Sequence, residues 1–282
     1  MYEKIAIISD TSCDLSDEFV SKNRIKLIPF KIILDDGREY KDKFEISAEE
    51  VMELLKEHSL RTSLPSIEDI IAAFDGVKRE GYTHAIVLTI SSKLSGTWSA
   101  INTVAKSYKG LEIAVIDSKT LSMAQGFLVM DAKELVEEGK KFLDIVVALE
   151  KRRNSVKAFF LLNMLEYLQK SGRMPNAVLK IAQSLNVKPI FTLKGGRISM
   201  DSISLGKKRG IKVLRKRIQR YSVKRYAIAY TGSPSEAQEL ALRFSSLIKV
   251  ESYLYHIGPA LSLYSGPEMI GIIIQTGSDL AI

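Results

Sequence analysis

The chain has one cysteine, Cys13, among 282 residues. An intramolecular disulfide and a thiolate metal cage are therefore excluded, and Cys13, in an N-terminal loop, reads as a small packed thiol. Histidine is nearly as scarce: His58, His84 and His256 share no ligand spacing, and neither H-E-x-x-H nor C-x-x-C occurs, so no metal is expected. Phosphate-binding glycine motifs are missing as well. There is no G-x-x-x-x-G-K-[ST], no G-x-G-x-x-G after the first strand and no G-x-S-x-G elbow. Long hydrophobic runs are absent: Ala85 to Ile90 and Met269 to Ile274 fall far short of the ~18 apolar residues of a membrane span. Met1-Tyr2-Glu3-Lys4 leads straight into a strand-like segment, without the basic region and apolar core of a signal peptide. A cytoplasmic protein with no stable membrane insertion is the expectation.

Acidic residues are missing from one long segment. Between Lys151 and Arg225 stand 20 Lys or Arg against only Glu166 and Asp201, a local charge of +18 in a chain whose net charge is +8. No acid occurs from Ser202 through Ser235. A solvated basic face is the plain reading. The functional readings are nucleic acid or an acidic protein. Neither a helix-turn-helix, a zinc finger nor an RNP pattern accompanies the charge, and no aromatics are interleaved with it, so an acidic protein partner is preferred over nucleic acid.

What is present is an ordinary globular composition, 46% hydrophobic and 26% charged, at a length that favours two domains. Lys4 to Ser9, His84 to Ile90 and Leu111 to Ile116 read as buried strands that alternate with helices opened by Ser47 and Ser66 and by the Ser91 to Thr97 loop. Ile67, Ile70, Ile71, Phe74 and Val77 share one helical face. Ile25 to Leu34 is a further extended run, broken at Pro29. Residues 1–155 are thus expected to form a parallel-sheet α/β/α domain with helices on both faces. Residues 156–282 change character. Val187 to Thr192 and Arg197 to Leu205 flank Lys194-Gly195-Gly196, a hairpin signal. A helix is expected over Asn176 to Leu185, a basic one over Ile211 to Tyr221, and another behind the cap Ser233-Pro234-Ser235-Glu236. The second domain is expected to be mixed α+β.

Asp10 and Asp117 each end a parallel strand, facing the crevice where open α/β sheets bind ligands, and they serve equally well as caps of the following turn. Two hydroxyl-rich loops stand out. Ser95-Gly96-Thr97 lies near a helix N-terminus, where free N–H groups, hydroxyls and the helix dipole suit a phosphate or carboxylate. Thr62-Ser63, in the loop before another helix, adds a second hydroxyl pair. Neither loop contains a charged base, which points to holding an anion without proton transfer.

Several segments resemble the DegV family, fatty acid-binding proteins that serve as acyl-carrying subunits of bacterial fatty acid kinase. They are IISDTSCDLS (Ile7 to Ser16), IPFKIILDDGREYKD (Ile28 to Asp42), RTSLPS (Arg61 to Ser66), LTISSKLSGTWSA (Leu88 to Ala100), VIDSKTLSMAQG (Val115 to Gly126), LNMLEYLQKSGRM (Leu162 to Met174), NVKPIFTLKGG (Asn186 to Gly196) and IGPALSLYSGPEMIG (Ile257 to Gly271). The resemblance implies a DegV-like fold holding a long-chain fatty acid such as hexadecanoate between the two domains. Thr62 and Ser95 would meet the carboxylate, with Ser63, Gly96, Thr97 and Tyr264 around them, and no cofactor would be needed. Nucleotide and metal would belong to a kinase partner that converts the bound chain to an acyl phosphate. Arg209, with Lys207 and Lys208, falls closest to the family's docking pattern. Three departures stand out. Leu64 occupies the family's usual Gln position, and Tyr264 and Glu268 occupy a usual His and Gly. An enzyme using Asp10 and Asp117, as hydrolase or phosphotransferase, is the alternative, and a nucleic-acid or regulatory protein is a third reading.

Overall fold

In the computed structural model, residues 3–174, 187–246, 248–250 and 252–277 are described. The helix expected over Asn176 to Leu185 lies outside them. The first half contributes strands β1 (Ile5–Asp10), β2 (Lys26–Ile28), β3 (Lys31–Leu34), β4 (Glu39–Lys41), β5 (Leu60–Ser63), β6 (His84–Thr89) and β7 (Glu112–Asp117). The second contributes β8 (Val156–Leu161), β9 (Val187–Lys194), β10 (Arg197–Leu205), β11 (Val223–Tyr230), β12 (Ser252–His256) and β13 (Ile270–Thr276).

Every residue of β1 is buried, so the strand needs neighbours on both edges and cover on both faces. Its neighbours are β2 and β6, both parallel, in a sheet of order β2-β1-β6-β7. Helices Ile67–Arg79 and Thr97–Ser107 cover one face, setting Ile70, Phe74, Val77 and Ile101 against Ile8 and Val87. Helix Met123–Glu137 covers the other through Phe127 and Leu128. The apolar stripe of the first helix is narrower than its spacing implied: Ile67 and Ile71 are 60% and 37% exposed.

After Pro29 the chain leaves this sheet and builds a second one, antiparallel, of order β4-β3-β5. This sheet corrects the sequence reading. Thr62 and Ser63 lie on a strand rather than in a loop, with Thr62 opposite Ile32. The third sheet is mixed, in the order β10-β9-β8-β13-β11-β12, with β11 and β12 as its parallel pair. The apolar run near Met269 becomes β13, its wholly buried central strand. Gly195 and Gly196, at φ +56° and +83°, make the β9–β10 turn as their spacing implied. The basic helix starts four residues earlier than Ile211 and spans Lys207–Ile218. It and helix Pro234–Ser245 pack Leu214, Ile218, Leu240 and Phe244 over one face of the sheet. No helix among the described residues is long and apolar enough to cross a membrane.

Helix Met123–Glu137 lies between the parallel sheet and the mixed one, contacting β1 and β6 on one side and β8 and β13 on the other. Eleven of its 15 residues are buried for that reason. The burial includes a charge. Asp131 accepts from the Arg225 guanidinium and, at 2.6 Å, from Gln275 Nε2. Arg225 also donates to Glu134 Oε1 at 2.9 Å, Phe127 O at 2.9 Å and Gln275 Oε1 at 2.6 Å. Removing one partner of such a pair strands the other charge away from water. Arg225→Met should therefore cost about 3–5 kcal/mol in urea unfolding. A loss below about 1 kcal/mol would show that Asp131 is satisfied without Arg225.

Candidate functional site

The loop after β6 is tied down from several directions. Asp10 Oδ2 accepts from Ile90 N at 2.7 Å, while its Oδ1 accepts from Ser12 N, Ser12 Oγ and Gln125 Nε2. Burial holds the Asp10 carboxyl above the usual carboxylate range, and these donors offset only part of that rise. Asp117 accepts from Ser92 N at 3.1 Å, Ser92 Oγ at 2.6 Å and Lys119 N at 2.9 Å. Both strand-end aspartates are thus engaged in holding the loop. Cys13 is fully buried, and its thiol is pushed up to about 12 by burial, which suits the packed role read from the sequence.

From the other half, the β9–β10 turn docks onto the same loop, with Ser91 Oγ donating to Gly196 O at 2.7 Å. Arg173 Nε donates to Leu94 O at 2.8 Å. Between these contacts opens a cavity of about 860 Å³, counted out to solvent. Its depth is apolar, formed by Phe160, Leu162, Phe191, Leu193, Ile257 and Met269. Its polar groups are few and include Thr62, Ser95, Arg173 and Tyr264. An outer depression shares Thr62, Ser95 and Arg173 and adds Ser63, Lys93 and Gly96.

The mouth is thus built from distant segments. Tyr264, on helix Pro259–Ser265, places its hydroxyl 2.5 Å from Thr62 Oγ1 and accepts from Thr62 N at 3.1 Å. The Arg173 guanidinium lies 4.9 Å from the centre of the Tyr264 ring, a cation over an aromatic face. Ser95 Oγ sits 2.8 Å from Thr97 Oγ1 and accepts from Thr97 N at 3.4 Å, while Gly96, at the helix start, offers no side-chain cap. Thr97 itself is fully buried and supports Ser95 from behind rather than lining the cavity. Leu64 lies over Gly96, its methyls 3.5 Å from where a Cβ would be. Glu268 adopts φ +58° and accepts from Asn163 Nδ2 at 2.8 Å. Hydroxyls, a guanidinium and a helix start thus line one mouth, and groups of these kinds suit an anion.

Sequence reading did not single out Arg173. Its signal was the Gly172 turn, at φ +69°, which ends the short helix Glu166–Lys170 and sends the next side chain back toward Leu94. The basic residues lie elsewhere. Lys207, Lys208 and Arg209 form the first turn of helix Lys207–Ile218, with Lys208 and Arg209 exposed and Lys207 paired to Glu236 at 2.5 Å. Cations at a helix N-terminus oppose the macrodipole, so helix stability does not account for them. No group of His, Cys, Asp and Glu among the described residues is arranged to hold a metal.

The model of the DegV protein family matches residues 4–277. A DegV domain-containing protein of Clostridium acetobutylicum is 32% identical, the match covering 96% of this chain and 99% of that protein. Among solved structures, a fatty acid-binding DegV family protein from Thermus thermophilus superposes with a TM-score of 0.87 at 28% identity, over 97% and 99% of the two chains. A stearic acid-binding protein from Eubacterium ventriosum gives 0.84 at 25% identity, over 98% of each.

Gly196 combines φ +83° with a Cβ position only 2.4 Å from Ser91 Oγ. Gly196→Ala should therefore lift the hairpin off the loop and cost about 1–3 kcal/mol. Unfolding measured in urea checks this, and an unchanged midpoint would mean that the hairpin does not hold the loop.

Proposed function

The chain belongs to the DegV family, and from that membership together with the cavity we propose that it binds a long-chain fatty acid, carboxylate outward, in the cleft between its two halves. The observation that carries this reading is the combination of an apolar depth with a small mouth of anion donors. A saturated chain of hexadecanoate length gains on the order of 10 kcal/mol from burying its methylenes. That gain is useful only if the carboxylate keeps its hydrogen bonds, because a charge buried without donors costs several kcal/mol. Thr62, Ser95, Tyr264 and the Arg173 guanidinium supply them, while Ser63 and Gly96 bound the outer rim. Solved relatives described as fatty acid-binding support the same assignment.

We read the protein as a carrier rather than a catalyst, acting in the cytoplasm with a kinase partner that phosphorylates the presented carboxylate. Asp10 and Asp117, the residues on which an enzymatic reading depends, are occupied by the loop they anchor. The partner's footprint would include the exposed Lys208 and Arg209 and their neighbour Lys207, where a dense positive field speeds association with an acidic surface.

Two measurements test these points. Thr62→Val, Ser95→Ala and Arg173→Met should each weaken hexadecanoate binding by about 1–3 kcal/mol in a calorimetric titration, the range for hydrogen bonds to a charged group. Wild-type affinity in all three would remove the carboxylate from this mouth. Arg209→Glu should slow acyl phosphate formation by the partner kinase, more strongly at low salt, with hexadecanoate affinity unchanged. Equal turnover at every salt concentration would reduce the basic turn to a solvated surface.

A further inference from the structure

The wall of the cavity that carries Tyr264 is fastened to the first half by two buried carboxylates. Asp14 Oδ1 accepts from Gly258 N at 3.0 Å, and Asp42 Oδ1 accepts from Ala260 N at 2.9 Å. These amides flank the start of helix Pro259–Ser265, whose Ala260, Leu261, Tyr264 and Ser265 line the cavity. Asp14 and Asp42 are 8% and 2% exposed. The contact is built closely: a Cβ at Gly258 would lie 2.8 Å from Asp14 Oδ1. It is also strained. Asp14 has φ +52°, and Ser122, which donates to Asp14 Oδ2 at 2.6 Å, has φ +58° and ψ −151°. Non-glycine residues hold such angles only where their surroundings enforce them, and functional sites concentrate them.

The charges facing this pair are mostly of one sign. Asp10 stands close enough to act on Asp42, and Asp42 acts on Asp14. Lys43 is the facing cation, but its ammonium also bonds Leu15 O at 2.5 Å and Asp17 at 2.9 Å. Cys13 and Tyr255, the latter 2.7 Å from Ser122 Oγ, complete the cluster, and His256 lies 3.9 Å from Glu49 beside the same segment.

We propose that Asp14 and Asp42 form a proton-controlled latch on the cavity wall, closed while both carboxyls carry protons and loosened once they ionise. Desolvation, the largest influence on each, raises Asp14 to about 7 and Asp42 to about 6. The sign follows from linkage. A carboxyl whose closed-state pKa lies above its value in water binds its proton more tightly when closed. Closure is therefore fully favoured below the ordinary carboxyl value of 3.8 and weakens as pH rises from there through the closed-state values, the loss being complete above about 7. Opening lets water reach the carboxylates and frees helix Pro259–Ser265, and with it Tyr264, from the mouth. Acid would then slow the escape of a bound acyl chain and neutral pH would speed it, without abolishing binding.

The test has two arms, only the second of which depends on the fatty acid reading. In ligand-free protein, exchange protection of the Gly258 and Ala260 amides, corrected for intrinsic chemistry, should fall about tenfold or more between about pH 5.5 and 7.5. The Asp14→Asn/Asp42→Asn variant, isosteric and tolerant of the left-handed backbone at 14, should show protection independent of pH. Asp42→Asn alone, which should reduce the response while leaving the larger Asp14 part, serves if the double variant does not fold. Equal protection of the wild type at both pH values overturns the latch. So does a response that survives in the double Asn variant, is undiminished in Asp42→Asn alone, or vanishes in His256→Gln. In the second arm, hexadecanoate release from loaded protein, followed by stopped flow, should accelerate with pH in parallel and lose that dependence in the double Asn variant. Responsive amides with pH-independent release overturn the link to the ligand. Protein that never binds hexadecanoate refutes the carrier reading instead, leaving the exchange arm to decide the latch.

Discussion

Helix Met123–Glu137 can be buried on nearly every side only because two sheets lie against it, and the architecture follows from that constraint. An apolar helix with Asp131 at its centre needs a cation delivered from whatever covers it. Arg225 supplies one from the mixed sheet. The ion pair fixes which face of the second half meets the first, and so brings β9 and β10 over the loop that follows β6. Packing alone would hold the two sheets together, since a hydrophobic contact is not directional. The buried pair and its hydrogen bonds to Gln275, Glu134 and Phe127 O fix their register.

A cleft arises where two such sheets meet imperfectly. The parallel sheet presents strand ends and a helix N-terminus, the usual location for polar ligand groups in α/β folds. The mixed sheet presents an apolar face, Phe160, Phe191 and Leu193 among it. Joined, they make a cavity with donors at one end and hydrocarbon along the other, which is the shape of a fatty acid. Neither half has both properties, so the proposed binding would be a property of the seam. Contacts that cross the seam, such as Ser91 with Gly196 and Thr62 with Tyr264, should then govern ligand behaviour more than residues buried within either sheet.

Much of this was legible in the sequence, and the gaps have physical reasons. The parallel strands were visible because strands buried on both faces read as unbroken apolar runs. The β9–β10 hairpin was visible because Gly195 and Gly196 supply positive φ. The strand character of Thr62 was not, since Leu60 to Ser63 alternates weakly and owes its pairing to β3 across a long connection. β13 appeared only as an apolar run near Met269, because neither its central position nor its partners leave a local mark. Of the mouth, Ser95 and Thr62 could be picked out by their hydroxyl-rich context. Arg173 could not, being one cation among twenty in its segment, and its role depends on the turn at Gly172. Asp14 and Asp42 were equally silent, since only tertiary structure places them against Gly258 and Ala260.

The most direct test of the seam as a lipid site is native mass spectrometry of the protein purified from bacteria without denaturation. One long-chain fatty acid per chain is predicted as a mass excess, lost on organic extraction and restored by added hexadecanoate. A lipid-free protein that also leaves added hexadecanoate unbound would contradict it.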